Sequence, residues 1–252
     1  MAAAGRAGID AGDVIWEKTP GAGLQHIGIV ACSFEGAGLC YRTLCLEAEP
    51  LLGKHAHPEI TLHNHSLGAY QPHIERGDWL AVGALMLDSA TKLARAGADF
   101  VICPDNTIHQ GLPSIEARSP LPWLHIAAVV AEEAQARGFR RIGILGTKWL
   151  VASEVYPEQL RARGLAWMRP SDDEREEINR IIMEELVRGI VRPEGIAYHQ
   201  RVMARMRQDG CDAVVLGCTE IPLIMNDGNS PLPTLDSTRL LARAALRSAT
   251  DP

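Results

Sequence analysis

Two side chains able to exchange protons, Asp105 and Cys218, stand at matching places in this sequence. Leu93-Ala94-Arg95-Ala96-Gly97-Ala98-Asp99 leads into Phe100-Val101-Ile102-Cys103-Pro104-Asp105, and Met206-Arg207-Gln208-Asp209-Gly210-Cys211-Asp212 leads into Ala213-Val214-Val215-Leu216-Gly217-Cys218. Each residue lies eight positions after its glycine, and 77 and 75 positions after Gly28 and Gly143 respectively. A carboxylate and a thiol on either side of a bound carbon are the groups needed to remove a proton from one face and return it to the other, which inverts a stereocentre. The two are unlike bases: unperturbed, their pKa values of ~3.9 and ~8.5 differ by roughly 6 kcal/mol. Burial raises an Asp and so narrows part of that gap.

The elements that carry these residues repeat. His26-Ile27-Gly28-Ile29-Val30 opens one half and Arg141-Ile142-Gly143-Ile144-Leu145 the other. Short apolar runs bounded by glycine predict strands at 25–31, 59–64, 98–103, 140–145 and 212–217. Amphipathic stretches between them predict helices at 36–49, 78–96, 125–137, 152–163, 173–188 and 196–209. Strand alternating with helix is the pattern of a parallel sheet, and the internal match implies two of them. The fold class expected is therefore α/β, with two pseudo-symmetric parallel-sheet halves and the active site between them. Residues 1–24 form an N-terminal extension, 25–117 with 225–252 the first half, and 118–224 the second. Ligands of such sheets bind beyond the carboxyl ends of the strands, where Asp105 and Cys218 both fall.

Bulk composition excludes several partners. The chain is 46% hydrophobic and 22% charged, with a net charge of −6 and no concentration of Lys and Arg. Nucleic acid is therefore not expected. No apolar run approaches the ~18 residues of a membrane helix. The opening Met1-Ala2-Ala3-Ala4-Gly5-Arg6 lacks a signal-peptide core. No membrane contact and a cytoplasmic location are expected. The six cysteines lie outside Cys-x-x-Cys spacing and read as buried small hydrophobes rather than disulfides.

Each chemical reading has a plainer rival. A cysteine at a strand end is more often inert than reactive, but a helix N-terminus after Cys218 would lower its pKa. Asp105 could serve simply as a helix cap, which is compatible with catalysis if its side chain faces the cleft. His55, His57, His63 and His65 fall within eleven residues, with His63 and His65 on one strand face. No carboxylate or cysteine completes an obvious ligand set, so no metal is expected and His65 is read as lining the pocket. Asp172-Asp173-Glu174 reads as an acidic helix cap without catalysis.

From about Ile27 to Ala245 the chain resembles the aspartate/glutamate racemases that work without pyridoxal phosphate. Gly217-Cys218-Thr219-Glu220-Ile221-Pro222 is similar to that family's second catalytic-cysteine motif. The first reads Pro-Cys-Asn-Thr, a small residue and His, against Pro104-Asp105-Asn106-Thr107-Ile108-His109 here. Tyr41-Arg42, His57-Pro58, Gly146-Thr147 and Ser153 with Tyr156 also match. The resemblance implies that Cys218 is one of two catalytic bases and that Asn106, Thr107 and Thr219 hold the substrate carboxylate. Arg188 would bind a carboxylate, with Ser33, Glu220 and His65 also at the substrate. Gln71 stands where some members carry a second carboxylate-binding Arg, which weighs against a dicarboxylic substrate. Ala31-Cys32-Ser33 replaces a glycine-rich turn and Leu241 a late His. Above all, Asp105 replaces a Cys.

Three functions follow. The first is a racemase or epimerase with Asp105 and Cys218 on opposite faces of the carbon next to a carboxylate. The second is a one-sided decarboxylase or isomerase in which Cys218 alone delivers a proton, as in the related malonate decarboxylases. The third is a carboxylate-binding protein without turnover. The favoured reading requires no cofactor, takes a small carboxylate or amino-acid substrate, and by resemblance is a homodimer. Segments 31–36 and 147–153 are candidate lids, and Trp149 with His65 suggests a larger or more polar substrate side chain.

Overall fold

A computed structural model describes residues 23–250; the expected N-terminal extension falls almost wholly outside them. The first sheet contains β1 (Ile27–Ala31), β2 (Ile60–Asn64), β3 (Phe100–Ile102) and β4 (Trp123–Leu124), in the order β2-β1-β3-β4. The second contains β5 (Arg141–Leu145), β6 (Ala166–Met168), β7 (Ala213–Leu216) and β8 (Thr234–Asp236), in the order β6-β5-β7-β8. All pairings are parallel. The two halves therefore share one strand order, and Gly28 pairs with Val101 as Gly143 pairs with Val214. Strands β1 and β7 are buried at every position, which is why they read as unbroken apolar runs rather than as alternation.

The helices are α1 (Phe34–Leu52), α2 (Leu67–Arg76), α3 (Trp79–Arg95), α4 (Ile126–Ala136), α5 (Lys148–Ala152), α6 (Val155–Ala162), α7 (Asp172–Arg180), α8 (Pro193–Gln208) and α9 (Ser237–Thr250). The expected helix 152–163 begins at Val155, as α6; Ala152 instead ends the short α5, which Thr147 caps by accepting from Leu150 N–H at 3.2 Å. The expected helix 173–188 is regular only to Arg180. A π-helical turn (Ile181–Glu185) and a 3₁₀ turn (Leu186–Arg188) complete it. Its start behaves as expected: Ser171 and Glu174 form a reciprocal capping box with acidic residues in the first turn.

The repeated glycine and aspartate have structural work. Gly97 and Gly210 both follow their helices at φ +91°, a left-handed conformation that suits glycine. Two residues later, Asp99 accepts from His26 N–H at 2.7 Å. Its counterpart Asp212 accepts from Arg140 and Arg141 N–H at 2.8 and 3.0 Å. Each half thus clamps the entry to its central strand onto the strand that ends at the site.

The crossings between halves fall later than the sequence suggests. Trp123–Leu124 remains in the first sheet although the second half was expected from residue 118, and Thr234–Asp236 remains in the second although the return was expected at 225. Both are fourth strands of two or three residues, long enough to close a sheet edge but too short to show a period. Beyond them, α4 and α9 pack with α1 into a core that draws on both sheets, including Ile27, Ile29, Ile142 and Ile144. Arg243 on α9 forks onto Glu47 of α1 with contacts of 2.7 and 2.9 Å.

Candidate active site

The carboxyl ends of β3 and β7 open into one cleft, with about 470 Å³ of free space that includes open solvent. Asp105, reached through Cys103-Pro104 after β3, and Cys218, reached through Gly217 after β7, both line it. Ser33, Gln71, Asn106, Thr107, Thr219 and Glu220 line it too. Eight of the ten expected site residues are thus gathered around one space.

Asp105 combines its two readings. Its Oδ1 accepts from Ile108 N–H at 3.2 Å, capping the 3₁₀ turn at Thr107–Ser114, while the side chain borders the cavity. Burial pushes its pKa from 3.8 to about 6, with the Glu220 charge adding to the rise; hydrogen bonds from Ile108, Thr107 and Cys32 oppose it. Cys218 differs from expectation. Only the three-residue turn Ile221–Leu223 follows it, so no long helix N-terminus draws its pKa down. Burial pushes the thiol well above its ordinary value, and the Glu220 carboxylate pushes it further.

Glu220 is 3% exposed and its oxygens are engaged within the protein. Oε2 accepts from Cys218 Sγ–H at 2.9 Å and from Thr219 Oγ1–H at 2.7 Å; Oε1 accepts from Ser33 Oγ–H at 3.0 Å. Glu220 therefore links the N-terminus of α1 to the thiol instead of presenting a free carboxylate to substrate. Ser33 also caps α1 by accepting from Gly36 N–H at 3.2 Å. Gly36 is what allows this approach, since a Cβ there would lie 2.3 Å from Thr219 Cγ2.

The Asn106 and Thr107 side chains likewise join the halves. Tyr156 O–H donates to Asn106 Oδ1 at 2.7 Å, and Asn106 Nδ2 donates to Ser237 Oγ at 3.0 Å. Ser237 in turn donates to Leu216 C=O at 2.8 Å, next to the end of β7. Thr107 and Thr147 hydroxyls meet at 2.8 Å. His109 fixes the Asp105 backbone: its Nδ1–H donates to Asp105 C=O at 2.7 Å, and its Nε2 accepts from Ile126 N–H at 3.4 Å. Both partners require a neutral ring. Burial, aided by His125, lowers its pKa to about 3.

Two expected residues stand elsewhere. Arg188 is exposed and does not line the cavity. The wide π turn sets Val187 on the cavity side, five positions after Ile182, and Arg188 follows it outside. His65 also lies outside the lining; its Nε2 meets Asp88 Oδ2 at 2.7 Å. Asp88 on α3 brings a carboxylate from a distant part of the sequence, so that His63, His65 and Asp88 offer ligand atoms within 4.8 Å of one another. Lys92 Nζ already holds Asp88 at 2.6 Å, and its charge adds to burial in lowering the His63 pKa. Gln71 is at the cavity, but its amide donates to Glu75 at 2.9 Å.

Sequence reasoning passed over Leu67, Ile74, Ile182, Met183 and Val187, which form much of the wall. Their types are those of core residues, and no local pattern separates a wall from a core.

The model of the family described as Asp/Glu/Hydantoin racemase matches residues 35–245. The chain belongs to the Asp/Glu/hydantoin racemase family. A Yersinia pestis structure assigned to the Asp/Glu racemases superposes with a TM-score of 0.81 at 30% identity, covering 90% of this chain and 99% of that one. An aspartate racemase homologue from Pyrococcus horikoshii gives 0.78 at 28% identity, covering 90% and 100%. The broad specificity amino-acid racemase RacX of Bacillus subtilis is 24% identical over 164 residues, 64% of this chain and 69% of its own length. The fold, with its two four-stranded sheets, is that of the racemases, and the chain is an isomerase of this family. Among the described residues no helix is long and apolar enough to cross a membrane.

Proposed function

We propose that the protein racemises or epimerises an amino acid by proton transfer at the carbon next to the carboxylate, with Asp105 and Cys218 addressing opposite faces. The observation that carries this reading is the position of the two residues: they occupy equivalent strand ends of two like halves and border one cavity. At neutral pH the resting pair is an Asp105 carboxylate, with its pKa near 6, and a Cys218 thiol held protonated by burial. Asp105 takes the proton from carbon, and the electron pair of that bond passes into the carboxylate as an enolate. Cys218 gives its proton to the other face. The enzyme is left with a protonated Asp105 and a thiolate, the form that acts on the opposite enantiomer. No cofactor enters these steps.

The substrate carboxylate lies where negative charge develops, so donors placed beforehand lower the barrier most. The turns after β3 and β7 supply them from backbone N–H groups. The test separates the faces: Asp105→Asn should stop α-proton exchange of one enantiomer in heavy water, and Cys218→Ala that of the other. Equal loss of exchange for both enantiomers in Cys218→Ala, with little change in Asp105→Asn, would instead favour the one-sided enzyme.

A further inference from the structure

We infer that the substrate is an α-amino acid with an apolar side chain rather than a second carboxylate, an inference that rests on the proposed racemase reading and deepens it. Among the described residues no Lys, Arg or His lines the cavity; the ionisable groups there are Asp105, Cys218 and Glu220, all acids. Such a space favours the α-ammonium of an amino acid and disfavours any further anion. A dicarboxylate would place its distal carboxylate here without a counter-charge, and a buried unpaired charge carries a heavy desolvation penalty.

The wall sets the rest of the specificity. Leu67 and Ile74 from α2, Trp149 from α5, and Ile182, Met183 and Val187 from the π turn and its continuation form an apolar surface around the reacting end. The polar lining offers little to a polar side chain. Both ends of the Asn106 amide, the Thr107 hydroxyl and the Gln71 amide N–H are committed within the protein. The nearby cations are also engaged or turned away. Lys148 lies over the Trp149 ring but pairs with Glu176 at 3.3 Å, and Arg188 is exposed. The π turn is the device that brings three apolar residues to the site and leaves the only arginine of its final turn outside.

Single L-enantiomers of leucine, methionine, phenylalanine, aspartate, glutamate and lysine, incubated with the full-length protein in heavy water, distinguish the outcomes by α-proton NMR. Leucine, methionine or phenylalanine should exchange with kcat/KM at least a hundredfold above aspartate, glutamate and lysine. Ile182→Arg should narrow that ratio at least tenfold in favour of the acidic substrates. Faster exchange of aspartate, glutamate or lysine than of any apolar amino acid in the unaltered protein would overturn the inference and leave racemisation standing. Exchange of none of them would overturn the racemase reading and the inference together.

Discussion

Replacing Asp105 by Asn separates the cost of holding a carboxylate in the cavity from its use. The native pKa near 6 lies about two units above the ordinary 3.8, so the folded protein favours the neutral acid. Stability is therefore greatest below the unfolded value and falls as pH rises through the window from 3.8 to about 6. At pH 8 the full difference applies, up to about 3 kcal/mol at 1.36 kcal/mol per unit, less whatever cavity water screens. At pH 4 the same linkage leaves only about 0.6 kcal/mol. Asn preserves an acceptor for Ile108 N–H, so the cap survives while the charge is removed. Urea unfolding at the two pH values should show Asp105→Asn more stable than the parent by 1–3 kcal/mol at pH 8 (a range set by that linkage) and nearly equal at pH 4. An equal ΔΔG at both pH values would refute the idea that a buried, ionised carboxylate sits at position 105.

Other expectations follow from single contacts. Gly36→Ala should lower stability by about 1–3 kcal/mol and raise KM, because its methyl group must push Thr219 away; thermal melts and steady-state kinetics check both. Tyr156→Phe strands Asn106 Oδ1 and should cost about 1–3 kcal/mol in chemical denaturation. Glu220→Gln removes the negative charge beside Cys218, so the thiol pKa should fall and iodoacetamide should alkylate it several-fold faster at pH 8; an unchanged or slower rate would contradict the link between these residues.

The site was legible where chemistry and repetition coincide. The Gly-x-Asp approach to β3 and β7, the Ile-Gly-Ile cores of β1 and β5, and the spacing to Asp105 and Cys218 are all local sequence features, and they located both strand ends. Strands β4, β6 and β8 are too short to show alternation. Helix α2 holds Gly68 and Pro72, which disguise it, whereas α9 carries an evident apolar stripe at Leu240, Leu241, Ala244 and Ala245 and yet is absent from the expected helices. Contacts that join the halves are long-range: Ser33 reaches Glu220 and Tyr156 reaches Asn106 only after folding. The π turn was hidden for a different reason. Its residues are ordinary helix formers, and the extra residue per turn that turns Val187 inward and Arg188 outward is a tertiary outcome. Hence the larger or more polar substrate side chain expected from Trp149 and His65 is set against a wall that is largely apolar.

If two different groups reach one carbon from opposite sides, the fate of solvent deuterium reveals it. In initial-rate reactions of one enantiomer in heavy water, the product enantiomer should carry solvent deuterium while recovered substrate keeps its protium. Deuterium appearing in the recovered substrate as fast as in product would mean that a single group serves both faces, and the two-sided account would fall.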